Sequence, residues 1–376
     1  MAHRSGAGDA GLTAPPLQAP RRMREKITVL QGGRAIAALG VLLVHAAILI
    51  ERHGQARPPG WTFLDRGELG VDFFFVLSGF IILHAHANDR RGLAAASSYA
   101  WRRITRIYVP YLPLVLAIIA LYISFPSLGA EKNWSLFTSL TLIAAQRPPA
   151  PALSVAWTLI HEVMFYAIFL LSYCTPRFRW LIAAWVALIG MANYLPITIA
   201  EVNLPPALQA TLSVFLSTMN IEFVAGMIAA VAVRSLSLVW ARVVLVVGIT
   251  GLVCFFAIEG ISRLWFGVAM AIVIAGLVRI EISGSIAAPR WLFFLGNASY
   301  AIYLIHGPVI SIISGIVVSF ALSWFANMTL CAAIGLAGGV LYHLLFEKPA
   351  LSYVNRWRAK FSPREEPQQP APGRLL

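Results

Sequence analysis

Arg34 and His45 stand eleven residues apart in the apolar run GRAIAALGVLLVHAAILI. At ~100° per residue that separation is three turns plus about 20°, so on a helix both side chains leave one face and differ in depth by about 16 Å. An imidazole carried that far into an apolar segment either hydrogen-bonds inside a helix bundle or handles protons, and this helix alone leaves both readings open. Arg103 and Arg106, in WRRITRIYVPY, are three apart and so neighbours on a helical face, with Arg102 beside them. Two such guanidiniums make a fork for phosphate oxygens, whereas a mere topology anchor could be any Lys or Arg. In SVAWTLIHEVMFY, His161 and Glu162 are adjacent, but position 165 is Phe165, which removes an HExxH zinc site. Counted from opposite membrane faces, Glu162 and His45 both lie ~18 Å from the inner side. A carboxylate at that level must be protonated, paired or wet, and pairing with the imidazole is one solution. His161 points about 100° away and takes another role or only packs.

Other polar groups fall at similar depth. GVDFFFVLSGFII places Asp72 near the outer boundary, as a reactive or a hydrated carboxylate, and Ser78 and Gly79 near the middle, where small residues also mark close helix packing. NASYAIYLIHGP aligns Ser299, Tyr300, Tyr303 and His306 in a polar stripe, and Asn220 and Glu222 lie near the centre of their own span. His84 and His86 have no third ligand nearby and read as solvated interfacial histidines, and Glu347 and Lys348 of FEKP as a solvated helix end. Polar groups at one level on different helices imply a hydrated cavity. A basic rim leading to a His/Glu centre suits acyl transfer from a phosphorylated thioester, and it also suits a proton-coupled transporter.

The elements that must position these groups are membrane helices. Of 376 residues 59% are hydrophobic and only 12% charged, with a mean hydropathy of +0.75, whereas a soluble domain carries about a quarter charged residues. Ten spans follow from apolar length: 33–50, 69–86, 107–125, 154–173, 178–194, 211–233, 241–258, 263–280, 296–318 and 324–346. With both termini cytoplasmic, every Lys and Arg except Arg52, Arg57, Arg66, Lys132, Arg147 and Arg263 falls on the inner side, as the positive-inside rule requires. The net charge of +13 therefore reports orientation, and no basic surface remains for a nucleic acid. Cys174, Cys254 and Cys331 have neither CxxC spacing nor a disulfide pattern. Residues 1–26 read as a disordered cytoplasmic lead, 27–350 as the membrane domain, and 351–376 as a mostly disordered cytoplasmic tail. Ser135 to Ala145 is too short to cross and reads as an external or re-entrant piece over a cavity mouth.

LQGGRAIAALGVLLVHA with its R-x10-H spacing, GVDFFFVLSGFII, RRITRIYVPY, VAWTLIHEVMFY, NASYAIYLIHGP and FEKP occur here in the order found in the membrane acyltransferase-3 family, which the chain resembles from about residue 28 to 350. Its bacterial members acylate exopolysaccharide, lipopolysaccharide, Nod factors, peptidoglycan or macrolides. The resemblance implies an all-α polytopic protein of about ten transmembrane helices in the bacterial inner membrane, acting as an O-acyltransferase. It makes His45 the expected catalytic histidine, with Glu162 and Asp72 as candidate partners, and Arg34, Arg103 and Arg106 contacts for an acyl-CoA co-substrate, acetyl-CoA first. Ser78, Trp157, Ser299, Tyr300, Tyr303 and His306 carry over as cavity residues. The implied acceptor is a polysaccharide or other hydroxyl, and no metal or permanently bound cofactor is expected. Relatives often have LDGLR in the first helix where this chain has Gln31, Gly32 and Gly33, and many carry an additional soluble C-terminal domain. Transfer through an acyl-histidine, and an oxyanion donor among Tyr303, Ser78 and a backbone amide, stay open, as does a proton-coupled transporter or exporter of a small molecule or glycan precursor.

Overall fold

In lipid every backbone amide must be satisfied within the chain, and the long apolar runs meet this demand as helices. A computed structural model describes residues 27–148, 150–194 and 204–361, and among them there is no strand. The helices are α1 (Thr28–Arg52), α2 (Gly70–His86), α3 (Leu93–Ser124), α4 (Leu136–Thr141), α5 (Trp157–Leu170), α6 (Phe178–Tyr194), α7 (Pro206–Phe215), α8 (Met219–Ser235), α9 (Leu238–Ala257), α10 (Arg263–Ile282), α11 (Arg290–Ser319), α12 (Trp324–Tyr342) and α13 (Lys348–Phe361). A π-turn, His343–Glu347, joins the last two. Nine helical stretches among the described residues are long and apolar enough to cross a membrane, and Phe178–Tyr194 adds a shorter apolar helix. The lead 1–26 and residues 362–376 lie outside the described residues.

Helix α1 runs through the middle of the bundle. Its Ala38 packs on Ala298 and Ile302 of α11, and its Leu42 on Ile310 and on Cys331 of α12. At Gly296 a Cβ would collide with the Gln31 carbonyl, so only glycine lets α11 approach α1 this closely. Gly79 of α2 and Gly226 of α8 do the same for each other's helices: a Cβ on either would strike the Phe223 or Val76 carbonyl. Gly79 thus packs, as small-residue spacing suggests. Outward, α9 presents Val239, Val243, Val246, Val247 and Val253, apolar side chains suited to lipid. The amino terminus of α1 has no cap of its own; the Glu281 carboxylate of α10 accepts from the Thr28 amide (2.6 Å) and the Val29 amide (3.0 Å).

Three expectations are corrected. Residues 211–233 fall within one membrane-length stretch, Pro206–Ser235, but not within one helix, because α7 ends at Phe215 and α8 begins at Met219. The freed carbonyls are satisfied by side chains: Asn220 Nδ2 donates to Val214 (2.8 Å) and Phe215 (3.1 Å), Trp185 to Phe215 (2.9 Å) and Asn193 to Leu216 (2.8 Å). The third helix does not begin at 107, since α3 starts at Leu93 and carries the RxxR arginines within it. His86 is not solvated: it is buried and bonded at 2.8 Å to Asp89, which also accepts from Tyr173 at 2.7 Å. Asp89, in the turn before α3, is half-buried; burial pushes its carboxyl up, but the His86 and Tyr173 hydrogen bonds outweigh that and hold it low. The short stretch from Ser135 packs against α3, where Tyr111 donates to the Ser139 carbonyl (2.6 Å). Helix α13 occupies the first part of the stretch expected as tail.

Candidate functional site

Three guanidiniums from two helices meet in one cleft. Arg34 comes from α1, Arg103 and Arg106 from α3, and Ser78, Glu162, Tyr166, Ser299, Tyr300 and Tyr303 share the lining. Each arginine is held differently. Arg34 Nε donates to Ser299 Oγ (3.0 Å), which donates to the Gly296 carbonyl (2.8 Å). Arg103 lies over the rings of Tyr99 (5.7 Å) and Tyr166 (5.4 Å), and its buried Nε has no partner. Arg106 lies 5.3 Å over the Tyr300 ring and donates to Glu347 Oε1 at 2.8 Å. Glu347 is fully buried and bonded also to His343 (2.7 Å), which corrects the expectation of a solvated end. Three cations face two carboxylates, Glu162 and Glu347, and a buried donor is left over. This excess of positive charge suits an anionic ligand.

A second cavity is lined by Val41, Val44, His45, Glu68, Val71, Ser154, Val155, Trp157, Arg263 and Tyr303. Val71 and Tyr303 line both cavities and form the wall they share. In this second chamber the tautomer of His45 is set by its neighbours. His306 Nδ1 contacts the Ile302 carbonyl (3.0 Å) and His45 Nδ1 the Val41 carbonyl (2.9 Å), and a carbonyl can only accept. Both neutral rings therefore carry their proton on Nδ1. His306 Nε2 then accepts from His45 Nδ1 (3.3 Å), and His45 Nε2 keeps a free lone pair. That nitrogen can act as a base.

Several site residues sit where the spacing led, and others do not. Glu162 and His45, counted to one level from the sequence, do not line one chamber: Glu162 belongs to the arginine cleft and accepts from Tyr166. Trp157 stands in the His45 chamber, and His161 packs between Phe75 (5.7 Å) and Trp157 (5.9 Å). Asp72 lines neither cavity; buried in α2, it takes Arg263 Nη2 at 2.6 Å and Nε at 3.3 Å. With Glu68 3.7 Å away, this fork fixes Arg263 at the edge of the His45 chamber. Tyr303 is committed too. Its hydroxyl and that of Thr158, 2.9 Å apart, both reach the Val155 carbonyl, so two protons are used among three oxygens. Arg263, Glu68 and Glu347 escaped the sequence reading, although Arg263 stood out among the few cations on the side where cations are scarce.

An all-helical bundle with polar chambers between its spans is a multi-pass membrane protein. The chain belongs to the acyltransferase-3 family, whose acyltransferase-domain model matches residues 27–344, and it is a membrane acyltransferase. It is 30% identical over 306 residues to the exopolysaccharide production protein ExoZ of Rhizobium meliloti (strain 1021), a match covering 76% of this chain and 90% of that one. It is also 28% identical over 174 residues, 39% of this chain and 81% of the other, to protein 2 in the picA locus of Rhizobium radiobacter. No solved structure matches.

Proposed function

We propose that the protein moves an acyl group, acetyl first, from cytoplasmic acyl-CoA to a hydroxyl of an extracytoplasmic polysaccharide, in the bacterial inner membrane with both termini cytoplasmic. One observation carries this reading: a cationic cleft and a histidine chamber lie back to back and share Val71 and Tyr303 as their wall. Positive-inside topology puts Arg34, Arg103 and Arg106 toward the cytoplasm, where a phosphorylated thioester is found, and His45 toward the outer side. The name of the rhizobial relative supports a polysaccharide acceptor, as do Trp157, Glu68, Ser154 and Arg263, which offer a sugar a stacking face, acceptors and donors.

His45 Nε2 removes the proton of the acceptor hydroxyl as its oxygen attacks the thioester carbonyl. The tetrahedral intermediate collapses with cleavage of the C–S bond, and the proton held on His45 passes to the departing sulfur. An ester and free coenzyme A result, and the histidine is restored. The Val41 carbonyl, with His306 accepting from the same nitrogen, holds His45 in the tautomer with Nε2 free, and Asp72 and Glu68 hold Arg263 at the edge of the His45 chamber, where its charge favours a developing oxyanion. A proton-conducting path gains little from this geometry, because His306 Nδ1 ends on a backbone carbonyl and Glu162 lies across the wall.

Membranes containing the intact protein or His45→Ala, supplied with isotope-labelled acetyl-CoA and separated into polysaccharide, lipid and small-molecule fractions, test the reading. Label should enter the polysaccharide with the intact protein and fall to background with His45→Ala. Equal labelling by both forms would remove His45 from the chemistry.

A further inference from the structure

The cations do not stop at the cleft. One helical turn from Arg106 along α3 stands Arg102, and a further turn on stands Ser98, so the three fall on nearly one face. Helix α13 lies along this stretch: Glu347, just before it, takes Arg106, and Arg358 near its far end reaches back to Ser98. The result is an arrangement with an unbalanced charge. Arg102 Nη1 and Arg358 Nη2 each donate at 2.7 Å to the same Ser98 Oγ, so two guanidiniums crowd around one neutral oxygen. Arg358 also approaches the Ser98 carbonyl at 3.4 Å. Among the described residues no carboxylate pairs with Arg358. Asp89 stands 3.8 Å from Arg102, but the same oxygen is already taken by His86 and Tyr173. Like charges held this close through a neutral hydroxyl call for an anion. Of this seam only the α13 side, with Arg358, lies beyond the family match, which ends at residue 344.

We infer that the α3–α13 seam, Arg102 and Arg358 around Ser98, binds the phosphates at the nucleotide end of the coenzyme A donor. This rests on the acyl-CoA reading above. A donor whose reacting end is directed toward Tyr303 and His45 must trail its phosphates back through the arginines. Arg34 and Arg106 would meet it first inside the cleft, and Arg102 and Arg358 would hold what remains outside. Guanidiniums suit the task because they engage phosphate oxygens in pairs.

Calorimetric titration of the purified detergent-solubilised protein with coenzyme A and with pantetheine, which lacks the nucleotide, tests the inference without needing an acceptor. Coenzyme A should bind the intact protein more tightly than pantetheine. Arg358→Gln and Arg102→Gln should each weaken coenzyme A about 10-fold or more, the scale of a lost charge-assisted contact, and leave pantetheine unchanged. Unchanged pantetheine affinity shows that the variants are folded, and Arg358→Lys should recover part of the loss. Equal weakening of both ligands, or none, overturns the seam but leaves the acyl-CoA reading standing. If phosphatidylglycerol binding alone responds to Arg358→Gln, the seam serves lipid headgroups and the inference fails. Absence of coenzyme A binding by every form would instead remove the acyl-CoA reading, and this inference with it.

Discussion

At the residue scale the proposed chemistry depends on one nitrogen being unprotonated. His45 Nδ1 is tied to the Val41 carbonyl and to His306, so the free lone pair is on Nε2 because of hydrogen bonds rather than chance. His306→Gln keeps a side chain of similar length but loses the ring that accepts from His45. The acyl-transfer kcat should fall about 10- to 100-fold with little change in KM for the donor, because the donor's cleft is untouched. A compensating rise in donor KM would place His306 in binding instead. The same logic explains Asp72, which touches neither cavity yet sets where Arg263 points. Its carboxylate is buried, and the fork to Arg263 satisfies it.

At the scale of elements, the break between α7 and α8 is stabilised by side chains that a continuous helix would not need. Asn220→Leu removes the side-chain bond to the Val214 carbonyl, leaving it the longer contact from the Ser217 amide (3.3 Å), and weakens the capping of Phe215. The expected cost is about 1–3 kcal/mol, read as a lower unfolding temperature in detergent. An unaltered midpoint would mean that the break needs no such support. Apolar length revealed the spans but could not reveal this break, because Pro206–Ser235 contains an 18-residue window with a mean hydropathy of 1.7, as apolar as an unbroken span. The start of α3 was hidden for the opposite reason. Hydropathy measures where a segment enters lipid, and the turns carrying Ser98, Arg102 and Arg103 are helical before the apolar stretch begins. Length and composition report the solvent, not the hydrogen-bond ladder.

Across the whole molecule, the legible parts of the site were those whose spacing lies within one helix: R-x10-H, RxxR and the stripe from Ser299 to His306. What stayed hidden depends on helices brought together from afar, such as Arg106 on Glu347, 241 residues later, and Arg263 on Asp72, 191 residues earlier. Depth along a helix can be counted from sequence; the direction a side chain faces across the bundle cannot, and so Glu162 and His45 were given one chamber where the structure has two. That division has a functional consequence. In the proposed reaction, with the donor in the arginine cleft and the acceptor in the His45 chamber, the Val71 and Tyr303 wall would limit access of water from that chamber to the thioester. Tyr303→Ala removes the ring from the wall and should raise acceptor-independent hydrolysis of acetyl-CoA, measured as coenzyme A release, while transfer declines. Tyr303→Phe loses only the hydroxyl and its bonds to Thr158 and Val155, and should leave that leak near the level of the intact protein. Equal leakage from both variants would trace it to the hydroxyl cluster, and none from Tyr303→Ala would mean that the chambers are sealed by other groups.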